Sequence, residues 1–263
     1  MQHSALLNVM IAAARKAART LKRDFGEVEN LQVSLKGPGN FVTAADRKAE
    51  ETLKAELAKA RPGYSFLGEE SGNHAGTDTT HTWIVDPLDG TTNFLHGIPQ
   101  FAISIGLERS GTIVAGVIYN PITDELFVAE RGKGAFLNDK RLRVAARKRL
   151  ADSVIACGLP HLGRGDLDLG LRELSAVQDK VAGLRRFGAA ALDMAFVAAG
   201  RLDGYWERNI SPWDIAAGII ILREAGGFVT DIDGTDAMFT KKHVVAGNET
   251  IQRELQRLLK AAG

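Results

Sequence analysis

The sequence contains a single cysteine and no long run of apolar residues. Cys157 has no second cysteine with which to form an internal disulfide, which suits a reducing compartment. A membrane-spanning helix needs about 20 consecutive apolar residues, and no stretch approaches that length. Residues 1–23 lack the apolar core and cleavage site of a signal peptide. These absences predict a cytoplasmic protein that makes no membrane contact.

The sequence also has almost no net charge, because 33 Lys and Arg residues balance 32 Asp and Glu residues. No bulk positive field is therefore available to attract nucleic acid, and an anionic ligand needs a local binding device. One basic run is typical of a solvated face, with a partner-binding surface as the alternative. It comprises Lys140, Arg141, Arg143, Arg147, Lys148 and Arg149.

The spacing of apolar residues predicts helices and strands in two successive halves, within one compact catalytic unit. Residues 1–150 form the first half and residues 151–263 the second. The first half carries helices over residues 6–21 and 43–61, then strands over 65–67, 82–85, 101–107, 112–119, 125–129 and 135–137. The second half carries helices over residues 167–177, 189–199, 215–225 and 250–259, alternating with strands over 184–187, 204–206 and 228–231. An antiparallel meander followed by an alternating half predicts a layered α+β fold.

The densest chemical signal is the segment from Trp83 to Phe94, in which a buried strand ends in polar residues. Asp86 and Asp89 leave this strand three residues apart, Gly90 permits a close backbone approach, and Thr91 can open a helix. Carboxylates are the ligands that Mg²⁺ prefers, and free N–H groups at a helix start bind phosphate. For a lone Asp-Gly-Thr the alternative is a polar turn in which an aspartate caps a helix.

Two further motifs accompany this segment: Gly68-Glu69-Glu70-Ser71 before it and Trp213-Asp214-Ile215-Ala216-Ala217-Gly218 after it. Together the three motifs resemble the signatures of the inositol monophosphatase family in order and approximate spacing. The resemblance implies a layered αβαβα sandwich of the inositol monophosphatase and fructose-1,6-bisphosphatase type. It also implies hydrolysis of a phosphate monoester by a metal-activated water, inhibition by lithium, and a homodimer.

The resemblance further implies a set of ligands for two or three Mg²⁺ ions. The matching ligands are Glu69, Asp86, the backbone carbonyl of Leu88, Asp89 and Asp214, with Glu70 the less favoured member of its pair. This set is physically coherent, because four carboxylates in one cleft repel one another unless cations neutralise them. Asp214 also stands at a predicted helix start, where a cap is the alternative role.

Asp46 and Thr91 match the residues that orient and deprotonate the attacking water, beside the catalytic ligand Glu69. The substrate contacts implied are Asp89, Gly90, Thr91, Gly188, Ala190, Glu207 and Asp214. Asp46 follows Thr43 by three residues and could instead complete a capping box. Glu207 could be a solvated charge at a strand end. Lys36 matches a mobile loop of the family, with a solvent-facing lysine as the alternative.

Two other phosphatase motifs are rejected. Asp231-Ile232-Asp233-Gly234-Thr235 resembles the nucleophile motif of haloacid dehalogenase phosphatases, but too little chain follows it, so we predict a polar turn. Cys157 and Arg164 have six intervening residues where a cysteine phosphatase loop needs five.

The favoured substrate is inositol 1-phosphate, and a broader sugar-phosphate phosphatase, acting also on fructose 1,6-bisphosphate, is the alternative. The alternative from a different functional class is a binding protein that acts as a partner of the transcription or ribosome machinery.

Overall fold

The computed structural model describes residues 3–27, 33–35, 41–161 and 163–263, with the backbone alone described over 33–35 and 41–43. Lys36 and the side chain of Thr43 lie outside this part of the chain. The described α-helices are α1 (Ala5–Phe25), α2 (Ala44–Ala60), α3 (Thr91–Leu95), α4 (Leu167–Gln178), α5 (Ala190–Ala198), α6 (Pro212–Glu224), α7 (Met238–Lys241) and α8 (Glu249–Ala262).

The described strands belong to a two-stranded, an eight-stranded and a five-stranded sheet. The first ten are β1 (Val33–Leu35), β2 (Phe41–Thr43), β3 (Tyr64–Gly68), β4 (Gly72–His74), β5 (Asp78–Asp89), β6 (Ala102–Arg109), β7 (Thr112–Asn120), β8 (Glu125–Glu130), β9 (Gly134–Leu137) and β10 (Lys140–Arg141). The last five are β11 (Val154–Cys157), β12 (Gly183–Arg185), β13 (Gly204–Arg208), β14 (Phe228–Thr230) and β15 (His243–Gly247).

The eight-stranded sheet has the order β10-β9-β8-β7-β6-β5-β3-β4. From β5 to β9 each strand pairs in antiparallel fashion with the next one along the chain, so the predicted meander is confirmed, whereas β5 pairs in parallel with β3. Strand β5 was predicted to end at Val85, but it continues to Asp89 through a shift of register. Asp86 pairs with Ser104 and Asp89 with Ala102, so β5 carries one extra residue at this point. Such a bulge redirects side chains at the end of a strand.

The five-stranded sheet has the order β12-β11-β13-β15-β14. Two of its inner strands, β11 and β15, were not predicted. Both are short apolar runs without alternation, because each is buried on two faces, and such runs give no period by which to recognise them. Helix α6 begins at Pro212, three residues before the predicted start, since proline is well suited to the first helical turn.

Helices and sheets stack in five layers, which confirms the predicted α+β sandwich. Helices α1 and α2 cover one face of the eight-stranded sheet, α5 and α6 lie between the two sheets, and α4 and α8 cover the far side. Helix α6 approaches the large sheet closely: a Cβ at Gly106 would lie 2.8 Å from the Cβ of Ala216. The small residues that follow Asp214 therefore serve packing. The division at residue 150 remains a prediction.

Candidate active site

A polar cavity of about 650 Å³ opens where β5, β13, α5 and α6 meet. Most of the residues proposed from the sequence line it, although they are spread over nearly 150 positions of the chain. The residues brought together are Glu69, Asp86, Leu88, Asp89, Gly90, Thr91, Gly188, Ala190, Glu207 and Asp214. Asp46, the proposed general base, is not part of this lining.

The bulge at the end of β5 aims Asp86 and Asp89 at the cavity. Asp86 is 2% exposed, and its Oδ1 atom accepts a hydrogen bond from the backbone N–H of Leu88 at 2.9 Å. Asp89 is 9% exposed, and its Oδ2 atom accepts one from the N–H of Ala191 at 2.7 Å. Asp89 thus connects the large sheet to the first turn of α5, across 102 positions of the sequence.

The turn after Asp89 depends on a glycine. Gly90 has a φ of 91°, and a Cβ at this position would lie 2.8 Å from the carbonyl oxygen of Gln100. The predicted helix α3 begins at the next residue, Thr91, whose hydroxyl donates to the Leu88 carbonyl at 2.9 Å. Gly90 is therefore required both by its left-handed backbone and by the lack of space beside it.

Asp214 occupies the first turn of α6 and faces the same cavity. Its Oδ2 atom accepts a hydrogen bond from the backbone N–H of Ser211 at 2.7 Å, as in a capping box. Burial and the nearby charge of Glu69 raise the pKa of Asp214 to about 8. The side chain both caps the helix and faces the acidic cluster, so capping does not exclude a role as a metal ligand.

The carboxylates of this cluster act on one another. Burial raises the pKa of Asp86 well above its ordinary value, and the charges of Glu69, Asp89 and Asp214 raise it further. Burial and Asp214 do the same to Asp89, against the opposing hydrogen bond from Ala191. Buried carboxylates that repel one another need a compensating positive charge, and hard oxygen donors suit a divalent cation. The residues present therefore fit the metal that the motifs imply.

Asp46 lies close to the turn between β3 and β4. One carboxylate oxygen from each of Asp46, Glu69 and Glu70 lies within 4.8 Å of the other two. Asp46 is 1% exposed and is the third residue of α2, which is also the position a capping box requires. Its catalytic and capping roles both remain predictions. Glu70 is 3.6 Å from the Nε atom of Arg47, whereas Glu69 lines the cavity.

Glu50 was not identified from the sequence, although it belongs to the same region. It is 3% exposed and accepts hydrogen bonds from the backbone N–H groups of Glu70 and Ser71, each at 2.8 Å. The spacing offered one signal: Glu50 follows Asp46 by four residues and so shares its helix face. A buried acid on an otherwise apolar stripe is unusual and could have been noted.

Another part of the cavity wall carries the groups expected to contact a polyol. Asn93 donates to the carbonyl of Phe187 at 2.7 Å and thereby fixes the backbone before Gly188. Glu207 is half-buried and accepts a hydrogen bond from the Tyr205 hydroxyl, so it faces the cavity rather than open solvent. Burial raises the pKa of Glu207, while Tyr205 lowers it.

A second acid on this wall, Asp193, was also not identified. It is 2% exposed, its Oδ1 atom has no hydrogen-bond partner among the described residues, and burial raises its pKa well above the ordinary value. Its sequence signal is a lone acid within the apolar helix α5. Cys157 lines the cavity too, but burial raises the pKa of its thiol to about 12, which leaves no thiolate for nucleophilic attack at neutral pH.

The basic run lies apart from the cavity, and part of it is structural. The Nε atom of Arg147 is 2.6 Å from an oxygen of the buried Asp203, and Arg149 is 3.5 Å from Asp152. Arg147 therefore neutralises an internal charge. Lys140, Arg143 and Lys148 are the better candidates for contact with a partner.

Comparison with known proteins gives consistent matches over the whole chain. A model of the inositol monophosphatase family matches residues 2–262. An inositol-1-monophosphatase of Mesorhizobium japonicum is 65% identical over 260 residues, covering 99% of this chain and 98% of that protein. A Nus factor SuhB of Pseudomonas aeruginosa is 42% identical and covers 92% of this chain and 91% of its own. The crystal structure of the extragenic suppressor protein suhB from Bartonella henselae matches with a TM-score of 0.95 and 62% identity, covering 98% of this chain and 99% of that one.

A layered sandwich with an acidic cavity of this kind defines a class of metal-dependent phosphatases. Within that class, the chain belongs to the inositol monophosphatase family. The predictions of family, fold and phosphatase activity are thereby confirmed, while the roles of individual residues remain predictions. Among the described residues, no helix is long and apolar enough to cross a membrane.

Proposed function

We propose that this protein hydrolyses inositol 1-phosphate to inositol and phosphate, in a reaction that requires Mg²⁺. The observation that carries the proposal is the meeting of carboxylates from β5, α6 and the β3–β4 turn in one cavity, with the two from β5 buried. Glu207 lines the same cavity. The name of the Mesorhizobium relative supports the choice of substrate.

Glu69, Asp86, Asp89, Asp214 and the backbone carbonyl of Leu88 would hold two or three Mg²⁺ ions. Bound there, Mg²⁺ would neutralise the carboxylates, stabilise the charge of the phosphate and the leaving oxygen, and activate a water. Phosphoryl transfer depends mainly on such positioning and charge stabilisation, so no covalent intermediate with the protein is needed.

The remaining residues would bind the substrate and move a proton. Asp46 and Thr91 would orient the attacking water and accept its proton, while Glu207 would accept hydrogen bonds from hydroxyl groups of the ring. The backbone of Gly188 and Ala190 would line the part of the cavity that binds the inositol ring. Asn93 holds this backbone in place through its hydrogen bond to the carbonyl of Phe187. Gly90 permits the tight turn that places the start of α3 at the cavity, where the phosphate would bind.

The test is a phosphatase assay on metal-free enzyme with a panel of polyol phosphates and a titration of Mg²⁺. We expect no turnover in excess chelator, recovery with Mg²⁺, inhibition by lithium, and the highest kcat/KM on inositol 1-phosphate. Full turnover in excess chelator would refute the metal requirement. A higher kcat/KM on fructose 1,6-bisphosphate would instead favour the broader sugar-phosphate phosphatase, which a cavity of about 650 Å³ also admits.

A second role, as a partner of the transcription machinery, is favoured by one observation. The chain is 42% identical to a protein named Nus factor SuhB over nearly its whole length. Pull-down with purified RNA polymerase tests this role, with a variant that neutralises Lys140, Arg143 and Lys148 but keeps the structural Arg147. Equal retention of wild type and variant would exclude the basic run as the contact.

We also propose that the protein acts as a cytoplasmic homodimer. Its single cysteine, which is buried and free, suits the reducing conditions of that location. Light scattering of the purified protein tests the dimer, and a mass near the 28.3 kDa of one chain would reject it.

A further inference from the structure

One buried side chain, Glu50, accepts hydrogen bonds from the backbone of the turn that carries Glu69. Residues 69–71 connect β3 to β4, and all three of their backbone N–H groups are used. The N–H of Glu69 donates to the carbonyl of Val85 at 3.3 Å, which ties the turn to the strand of Asp86. The N–H groups of Glu70 and Ser71 both donate to the carboxylate of Glu50, each at 2.8 Å.

The surroundings leave this carboxylate little freedom. Glu50 is 3% exposed, and it projects from the middle of α2 against the end of β3. A Cβ at Gly68 would overlap the Glu50 carboxylate and the ring of Phe66, so only glycine fits at that position. The contact between Glu50 and the turn therefore depends on two residues: Glu50 supplies a buried carboxylate, and Gly68 leaves the space for it.

We infer that Glu50 is a positioning residue that sets the Mg²⁺ affinity of the site by fixing the backbone from which Glu69 projects. The inference rests on the proposed role of Glu69 as a ligand. Glu50 itself does not line the cavity, and each of its oxygens accepts a hydrogen bond from the turn. Groups that orient a metal ligand from outside typically change metal affinity or activity by about 10- to 100-fold when they are lost.

Only a carboxylate of this length can accept both bonds. A glutamine at position 50 offers one carbonyl oxygen, and its NH₂ group would face a backbone donor. An aspartate keeps the charge but is one methylene shorter, so it reaches the turn less well. The two substitutions therefore separate the reach of the side chain from its charge. Glu50→Gln alters the hydrogen bonds to the turn and the charge, whereas Glu50→Asp keeps the charge and alters only the position of the carboxylate.

The chain offers a matched control in Glu224, at the end of α6. Its carboxylate likewise accepts two backbone N–H groups of a turn, from Gly132 at 2.8 Å and Gly134 at 2.7 Å. This second turn contributes no residue to the cavity lining. Glu224→Gln therefore reproduces the loss of a bidentate carboxylate away from the proposed ligands.

The experiment measures Mg²⁺ binding to metal-free protein by isothermal titration calorimetry, beside melting temperature and the Mg²⁺ dependence of kcat. We expect Glu50→Gln and Glu50→Asp to bind Mg²⁺ about 10- to 100-fold more weakly, with kcat largely recovered at high Mg²⁺. Glu224→Gln should melt at a lower temperature and bind Mg²⁺ as the wild type does.

Three results would overturn the inference. Wild-type Mg²⁺ affinity in folded Glu50→Gln would show that the turn holds its position without Glu50. Weak binding by Glu50→Gln with normal binding by Glu50→Asp would assign the effect to charge. Equal weakening in Glu224→Gln would make the effect a general loss of stability. If Glu50→Gln does not fold, the milder Glu50→Asp decides alone. Failure of the wild type to bind Mg²⁺ would reject the proposed function itself.

Discussion

Two aspartate-rich turns in this protein have similar sequences and opposite electrostatics. Asp86-Pro87-Leu88-Asp89-Gly90-Thr91 ends β5, and Asp231-Ile232-Asp233-Gly234-Thr235 follows β14. The first aspartate of each turn is almost completely buried, at 2% and 0% exposure. Yet the pKa of Asp86 is raised well above its ordinary value, whereas that of Asp231 is lowered to about 2.

The difference comes from the donors that meet each carboxylate. Burial raises the pKa of both groups. At Asp231 the hydroxyl and the N–H of Thr235 donate to the carboxylate, and the Lys241 Nζ atom lies 2.9 Å away, so these partners outweigh burial. At Asp86 the neighbours are carboxylates, and the donor at 2.9 Å is the N–H of Leu88. A buried carboxylate that is surrounded by other carboxylates is suited to bind a cation. A buried carboxylate whose charge is met by donors and a lysine has a structural role.

The largest effect on turnover is expected at Asp46. Asp46→Asn should lower kcat by about 10²- to 10⁴-fold, because the transition state loses a general base. Mg²⁺ affinity and melting temperature should change little. Thr91→Ala should lose a similar factor, and the double variant should lose little more than either, since residues that act as a unit are not additive. Steady-state kinetics with saturating Mg²⁺ measures all three.

The capping alternative for Asp46 predicts a different outcome. Loss of a cap costs on the order of 0.5–2 kcal/mol of stability and leaves turnover intact. A destabilised but fully active Asp46→Asn enzyme would therefore assign Asp46 to the cap and leave the attacking water without its proposed base.

Asp214→Asn should have the next largest effect. Asparagine can still accept the hydrogen bond from Ser211, so the cap of α6 is kept while the charge offered to the metal is lost. We expect kcat to fall by about 10²- to 10³-fold, as when one charge-stabilising group is removed from an active site. The control is Asp166→Asn. Asp166 caps α4 by accepting a hydrogen bond from the backbone N–H of Leu169 at 2.9 Å, and it also lines the cavity. Near wild-type turnover of Asp214→Asn would leave Asp214 as a cap alone.

The sequence was sufficient to identify the acidic motifs that meet in the cavity and most elements, but not the parts that depend on distant contacts. The twelve-residue segment around Asp86 is long enough to be specific, and the layered fold followed from the apolar periodicities. Strands β11 and β15 were not predicted, because a fully buried strand carries no alternation. Glu50 was not identified because its partners, Glu70 and Ser71, lie about 20 positions away.

The acidic cluster at the cavity and the turn at Asp231 should also respond oppositely to pH in metal-free protein. The folded-state pKa of Asp214, about 8, lies above the unfolded value near 3.8. Stability from this group is therefore complete below about pH 4 and is lost as pH rises toward 8. Melting temperatures of chelator-treated protein should fall over this range, and Mg²⁺ should raise them most at the alkaline end. A melting temperature independent of both pH and Mg²⁺ would contradict the proposed cation site.

The smallest effect on turnover is expected at Asp231, where the same substitution removes a charge that is neutralised by Lys241 and lies outside the cavity. Asp231→Asn should leave kcat within about twofold, since the turn contributes nothing to the cavity lining. Its folded pKa of about 2 lies below the unfolded 3.8, so its stabilisation is present above about pH 4 and is lost as pH falls toward 2. A shift of this size corresponds to about 2 kcal/mol, hence a melting temperature several degrees lower at neutral pH. Asp233→Asn is the matched control, because its more exposed carboxylate shares Lys241 at 2.7 Å and should matter less. Thermal melts of both variants between pH 2 and pH 7 measure the difference, which should shrink at the acid end. A large loss of turnover in Asp231→Asn would instead connect this turn to catalysis and remove the contrast between the two turns.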